Sequence, residues 1–185
     1  KNMPENFEIN GYEIAPGEKQ VVKLTVARLP SGTRIHLQAH IFRSAEPGPT
    51  ALVLGGVHGD EVNGIEIVRR SMESGLYDRL KAGSVIAIPL LNIYGFLQFS
   101  RDTPDGKDVN RNFPGSLRGS LSSRVARTLT KYILPLVDFG VDFHAGGASR
   151  YNYPQIRYTR NSPDAQALAE AFSAPFIIAK PPIRK

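Results

Sequence analysis

The strongest constraint on the fold is a change of period near residue 50. Before it, apolar and polar residues alternate; after it, short unbroken apolar runs take turns with helix-like stretches. "TALVLGG" (50–56), "SVIAIPLLN" (84–92), "PLVDFGVDFH" (135–144) and "APFIIA" (174–179) are runs of the kind that fill strands covered on both faces. Between them, "DEVNGIEIVRRSMES" places Val62, Ile65, Ile67, Val68 and Met72 at helical spacing. "PGSLRGSLSSRVARTLTKYIL" holds a helix with Val125, Leu129, Tyr132 and Ile133 inward, and "SPDAQALAEAF" a helix with Ser162 as N-cap and Pro163 behind it. Strand–helix alternation predicts an α/β domain with a mixed, mostly parallel sheet flanked by helices.

The earlier region reads as a hairpin. "KQVVKLTVARL" (19–29) and "TRIHLQAHIF" (33–42) alternate and are separated by Pro30-Ser31-Gly32. His36 and His40 share a face with Arg34 and Gln38, opposite Ile35, Leu37, Ala39 and Ile41. That face is read as solvated, and neither histidine is assigned to a metal. The turn-rich "SAEPGPT" (44–50) marks a boundary. We therefore expect an N-terminal β segment over residues 1–46, packed on or preceding an α/β domain over 47–185.

Composition narrows the chemistry. There is no cysteine, so disulfides and thiolate sites are excluded and any metal must bind through imidazole and carboxylate. No apolar run approaches the ~20 residues that span a bilayer, so no membrane partner is expected, and a cytoplasmic location is the default. The net charge of +6 is scattered, with local basic spots at Arg69-Arg70 and Lys180–Lys185. Without an aromatic/basic motif, no nucleic-acid partner is expected.

"LGGVHGDEVNG" then poses a question: an ordinary turn after a buried strand does not need a histidine, an aspartate and a glutamate within four residues. His58 and Glu61 are three apart and share a side if the chain enters a helix there. Gly55-Gly56 let the backbone approach whatever they hold. His144 ends another predicted strand, "VDFH". Ligand crevices of open α/β sheets lie at the carboxyl ends of the strands, so both clusters point to one edge. Two imidazoles and a carboxylate are the His₂Glu set of a catalytic zinc site, in which the fourth position stays open. The pair His58/Glu61 alone is a weak signal; the third ligand at an equivalent strand end strengthens it.

A loop of about twenty residues, 100–119, is long enough to be functional. Within it Arg101, Asn110 and Arg111 suit an anionic substrate, since a guanidinium grips a carboxylate through two parallel hydrogen bonds. Asp108 could orient an imidazole. Asp142 lies two residues before His144, on the same strand face; it either supports that histidine or simply ends the strand.

"HGDE", then "DVNR" followed by "NFPG", then "DFHAGG" resembles the zinc carboxypeptidase superfold, and more closely its succinylglutamate desuccinylase/aspartoacylase group of deacylases. The likeness covers about residues 51–179. It implies His58, Glu61 and His144 as ligands of one zinc ion per chain, with Asp108 hydrogen-bonded to the first histidine. It implies Asn110 and Arg111 as the grip on a substrate carboxylate, and Arg101 as the group that polarises the scissile carbonyl. The implied activity is zinc-dependent hydrolysis of a linear amide in a small anionic N-acyl amino acid, through a metal-activated water. The substrate partner is thus a small molecule, and an oligomer is compatible with the sequence.

The resemblance also implies a general-base glutamate in a later strand. After His144 the only carboxylates are Asp164 and Glu170, both in a predicted helix. We therefore expect the base beyond residue 185, with the domain incomplete at its C-terminus and this piece inactive alone. Two alternatives stand beside the deacylase: a metallocarboxypeptidase acting on short peptides, and a non-catalytic zinc or anion-binding module. Cobalt or nickel can occupy similar sites.

Overall fold

The computed structural model describes residues 6–148 and 150–182; of the basic stretch at the end of the chain, 183–185 lie outside the described residues. Two compact units are present, Lys1–Ser149 and Arg150–Lys185. No helix among the described residues is long and apolar enough to cross a membrane.

The first unit opens with β1 (Phe7–Ile9) and β2 (Tyr12–Ile14), a small antiparallel ribbon. Its turn is Asn10-Gly11, both at positive φ, the combination that lets strands join with their natural twist. The long hairpin follows as β3 (Lys19–Arg28) and β4 (Arg34–Arg43), close to the expected bounds. Its inward face carries Leu37, Ala39 and Ile41, while Gln38 is exposed and His36 and His40 are half-buried. Burial lowers the pKa of His40, and His36 sits 3.3 Å from the Thr25 hydroxyl.

β5 (Thr50–Gly55), β6 (Ser84–Ile88) and β7 (Phe139–Phe143) complete a five-stranded sheet of order β3-β4-β6-β5-β7. The hairpin joins it antiparallel through β4 and β6, whereas β5 runs parallel to both β6 and β7. Residues 46 and 47, where a domain boundary is expected, lie between two strands of this one sheet.

Alternation in β6 shows how the sheet is covered. Val85 and Ala87 pack with Val68 of α1 (Val62–Glu73) and with Tyr77. Ile86 and Ile88 point the other way, into the larger core with Val125, Ala126 and Leu129 of α3 (Leu121–Tyr132), Ile133, and Phe7, Ile9 and Ile14. Each fully buried isoleucine contributes about 1.5–3 kcal/mol, so a continuous apolar run is what a strand with helices on both sides requires. A short α2 (Ile93–Leu97) follows β6. On α1 the expected apolar face is narrower than its spacing suggests: Val68 is buried, but Val62 and Ile67 are exposed. The Arg69-Arg70 spot is locally neutralised by Glu66 and Glu73.

The second unit is a β-α-β element: β8 (Gln155–Thr159), α4 (Pro163–Phe172) and β9 (Phe176–Lys180), the two strands parallel. The expected strand in "APFIIA" therefore exists but pairs with β8 in its own two-stranded sheet. Pro163 opens α4 as expected; Ser162 occupies the N-cap position without a side-chain capping bond. Asp164 and Glu170 both lie in α4.

Candidate metal centre

β5 and β7 are adjacent and parallel, with Leu54 opposite Asp142 and Gly55 opposite Phe143. The chain leaving β5 and the chain leaving β7 therefore emerge at the same edge, which is where His58, Glu61 and His144 meet. Their ligating atoms all lie within 4.8 Å of one another. His58 and Glu61 do not share a helix face: they sit in the turn before α1, closed by the Glu61 N–H donating to the His58 carbonyl (3.3 Å), and Glu61 is the N-cap residue. The close seat of α1 needs Gly64, where a Cβ would come within 2.4 Å of the Phe143 carbonyl oxygen.

Each imidazole uses its two nitrogens in the same way. Nδ1 of His58 lies 2.8 Å from Glu61 Oε1, and Nδ1 of His144 lies 2.9 Å from Glu61 Oε2. Nε2 of His58 faces Asp108 Oδ1 at 3.1 Å, and Nε2 of His144 faces Asp142 Oδ2 at 2.8 Å. A neutral imidazole donates from one nitrogen and accepts at the other. With Nε2–H donating to an aspartate, both Nδ1 lone pairs point at Glu61. Lone pair against carboxylate oxygen at under 3 Å is repulsive unless a positive charge lies between, either a proton or a metal cation. This donor set, with an aspartate behind each imidazole, fits a divalent ion bound through nitrogen and oxygen.

The electrostatics follow the same geometry. Burial raises the Glu61 carboxyl, but hydrogen bonds from His144, His58 and the Ala145 N–H outweigh it and hold it well below the usual carboxylate range. Hydrogen bonds to Asp142 and then Glu61 push the His144 pKa up to about 10. Burial raises Asp108 as well, and its bonds to Arg101 and the Asn110 N–H bring it down overall.

The long loop supplies the rest. Asp108 caps a 3-10 turn over Val109–Arg111 by accepting the Asn110 N–H at 2.8 Å. Asn110 and Arg111 sit on this turn with exposed side chains, two and three residues past the carboxylate that holds His58. Arg101 is held along one edge, Nε at 3.2 Å and Nη2 at 2.8 Å from Asp108 Oδ2. That leaves Nη1 facing His58 Nδ1 (3.3 Å) and Glu61 Oε1 (3.4 Å). The residues expected as metal ligands, imidazole support and substrate grip thus lie at this edge or on the turn beside it.

Three contributors were not assigned from sequence. Asp142 bonds His144, which resolves the choice left open for it. Asn92, fully buried, caps α2 through the Gly95 N–H and donates to the Arg101 carbonyl at 3.3 Å, fixing where the loop departs. An Asn ending a buried apolar run was the available signal. Asp60, between two ligands, is treated below.

Fold and site define an α/β protein with a His/Glu/His group of metal-ligating residues, close enough together to share one ion, at the carboxyl ends of parallel strands. The sequence pattern of the Succinylglutamate desuccinylase/Aspartoacylase catalytic domain matches residues 47–183, and the chain belongs to that family. It is 35% identical over 141 residues to the N-alpha-acetyl-L-2,4-diaminobutyric acid deacetylase of Halomonas elongata, covering 71% of this chain and 40% of that protein. The crystal structure of a succinylglutamate desuccinylase/aspartoacylase from Rhodobacter sphaeroides matches with a TM-score of 0.73 and 34% identity, over 88% of this chain and 51% of that one. A metallo-carboxypeptidase from Burkholderia cenocepacia shares the fold (TM-score 0.61, 16% identity, 90% of this chain and 49% of that one). The chain thus spans about half the length of these relatives or less.

Proposed function

We propose that this chain carries the metal-binding and substrate-positioning part of a zinc-dependent deacylase that hydrolyses the amide bond of a small anionic N-acyl amino acid. The observation that carries the reading is the convergence of His58, Glu61 and His144, each imidazole backed by its own aspartate. The name of the Halomonas relative, a deacetylase of an acetylated diamino acid, supports this class of substrate. A bound zinc ion would polarise the scissile carbonyl and bring the pKa of a coordinated water to about 7.

The protein's own residues divide the remaining work. Arg111 grips the substrate carboxylate by two parallel hydrogen bonds, with Asn110 beside it, and this fixes the carbonyl over the ligand set. Arg101 presents Nη1 to the same place because Asp108 occupies its other edge, and there it donates to the oxygen that becomes negative. The family resemblance gives to a glutamate the transfer of a proton from the attacking water to the leaving amine, and no carboxylate of this chain is assigned that part.

Metal analysis of the purified protein, followed by turnover assays on a chain extended to its relatives' length, tests the proposal. One zinc per chain is expected, lost in His58→Ala and His144→Ala, with acid released from N-acetyl and N-succinyl amino acids. Cleavage of dipeptides alone would make it a carboxypeptidase. Zinc bound by the extended chain without turnover of either substrate would make it a binding module.

A further inference from the structure

Asp60 stands between two proposed ligands and is neither a ligand nor within the substrate turn. We infer that it is a positioning residue, locking the segment that carries His144 onto the turn that carries His58 and Glu61. The inference rests on the metal-site reading for its consequence and on backbone geometry for its substance.

Two consecutive acids grip one short segment. Glu61 Oε2 accepts the Ala145 N–H at 2.9 Å, and Asp60 Oδ2 accepts the Ala148 N–H at 3.0 Å, across 88 positions of chain. His144 is the residue immediately before this doubly held stretch. The Asp60 carboxylate lies flat against Gly147: a Cβ there would meet Oδ2 at 2.6 Å, Cγ at 3.1 Å and Oδ1 at 3.2 Å. Gly147 does not have the positive φ that only glycine tolerates easily, and its three nearest non-neighbour atoms all belong to Asp60. Its lack of a side chain is therefore explained by that carboxylate. Ala148, by contrast, holds a left-handed φ of 54°, a conformation that costs a non-glycine residue energy and persists where its surroundings impose it.

Asp60 also carries a penalty. Its Oδ1 is buried with no hydrogen-bond partner among the described residues, and an unsatisfied buried acceptor costs stability. A residue chosen for stability alone would not leave it so. What Asp60 uniquely supplies is the bond at Oδ2, which ties the strand end of β7 to the strand end of β5 where the proposed ligands must meet.

The test compares Asp60→Ala, Asp60→Asn and Gly147→Ala. Asn keeps an acceptor for the Ala148 N–H; Ala removes it; a Cβ at Gly147 pushes the carboxylate away while leaving Asp60 in place. Amide exchange is followed at Ala145 and Ala148 in the metal-free chain, and zinc affinity by competition with a chromophoric chelator. Asp60→Ala and Gly147→Ala should each speed exchange at both amides, including Ala145, which Asp60 does not touch. Each should also weaken zinc by about 10–100-fold, the range for supporting residues of metal ligands. Asp60→Asn should stay within about threefold of the parent on both readouts, because the bond survives. Gly147→Ala added to Asp60→Ala should cost nothing further, since the clash is gone.

Unchanged Ala145 exchange in both single variants overturns the inference, and so does loosened exchange with unaltered zinc affinity. A parent chain that binds no zinc removes the metal-site reading instead; Ala145 exchange then still decides whether Asp60 locks the segment.

Discussion

The two imidazoles of the centre are held by the same chemistry and built in opposite ways. His58 is 2% exposed, and its aspartate arrives from 50 residues further along the chain, itself tied to Arg101 and to the Asn110 N–H. The side chain of His144, one residue past β7, is 35% exposed, and its aspartate is two residues back on that strand, with 37% of its own side chain exposed. One pair closes a long loop; the other is supplied by the pleat of β7 alone. A carboxylate that links several groups in a dry setting has no replacement when removed, whereas water can replace one at the surface. The two aspartates should therefore differ in what their loss does.

The largest expected effect is on the His58 side. Asp108→Ala should weaken zinc by about 10–100-fold, because it frees the imidazole, Arg101 and the Asn110–Arg111 turn together. Asp142→Ala should cost less than about tenfold, since solvent reaches His144 Nε2. Chelator-competition titrations of both variants measure the difference directly. Equal losses, or a larger one for Asp142, would mean that long-range closure of the loop adds nothing to how the ligand is held.

The next effect separates the pairs by pH. In the metal-free chain His144 titrates near 10, above its ordinary 6.5. Its contribution to stability is then complete below pH 6.5 and is lost as pH rises toward 10. Glu61 and Asp108 are shifted the other way. Theirs is present above the ordinary carboxylate range and disappears on acidification. Thermal melts of chelator-treated protein should show a plateau between about pH 4.5 and 6.5, with a falling limb on either side. Asp142→Asn should flatten the alkaline limb and leave the acid one, while Asp108→Asn should change the acid limb. An alkaline limb untouched by Asp142→Asn would separate His144 from that partner.

The same contrast explains what could be read in advance. Strand β6 and its neighbours were legible because a sheet covered on both faces demands unbroken apolar runs. His58, Glu61 and His144 were legible because strand ends in such a sheet are brought to one edge. The ribbon over Phe7–Ile14 was not taken from the sequence, although Asn10-Gly11 is a strong turn signal; its strands have three residues each, too few to show a period. Helix α2 was hidden in the apolar stretch after β6 for the same reason, at five residues. The pairing of β9 with β8 could not be read, since a strand's periodicity says which faces are covered but not which neighbour it takes. Asp60 and Asn92 escaped because their roles consist of bonds to backbone groups, and no side-chain pattern announces a backbone partner.

The smallest effect gives the comparison its control. Arg69 on α1 bonds Glu66 through Nε (2.7 Å) and Nη2 (2.8 Å), and it reaches Glu73 as well. Counted by carboxylate partners it matches Arg101, which bonds Asp108 by the same two atoms and reaches Glu61. The settings differ: Glu66 and Glu73 are 40% and 62% exposed, Asp108 and Glu61 16% and 5%. Exposed pairs gain little over hydration and are screened by salt. Arg69→Ala should therefore leave the melting temperature within about 1 °C and zinc affinity unchanged. If it instead lowered either as far as Asp108→Ala does, the number of charged partners, and not their removal from water, would set how firmly a side chain is held in this protein.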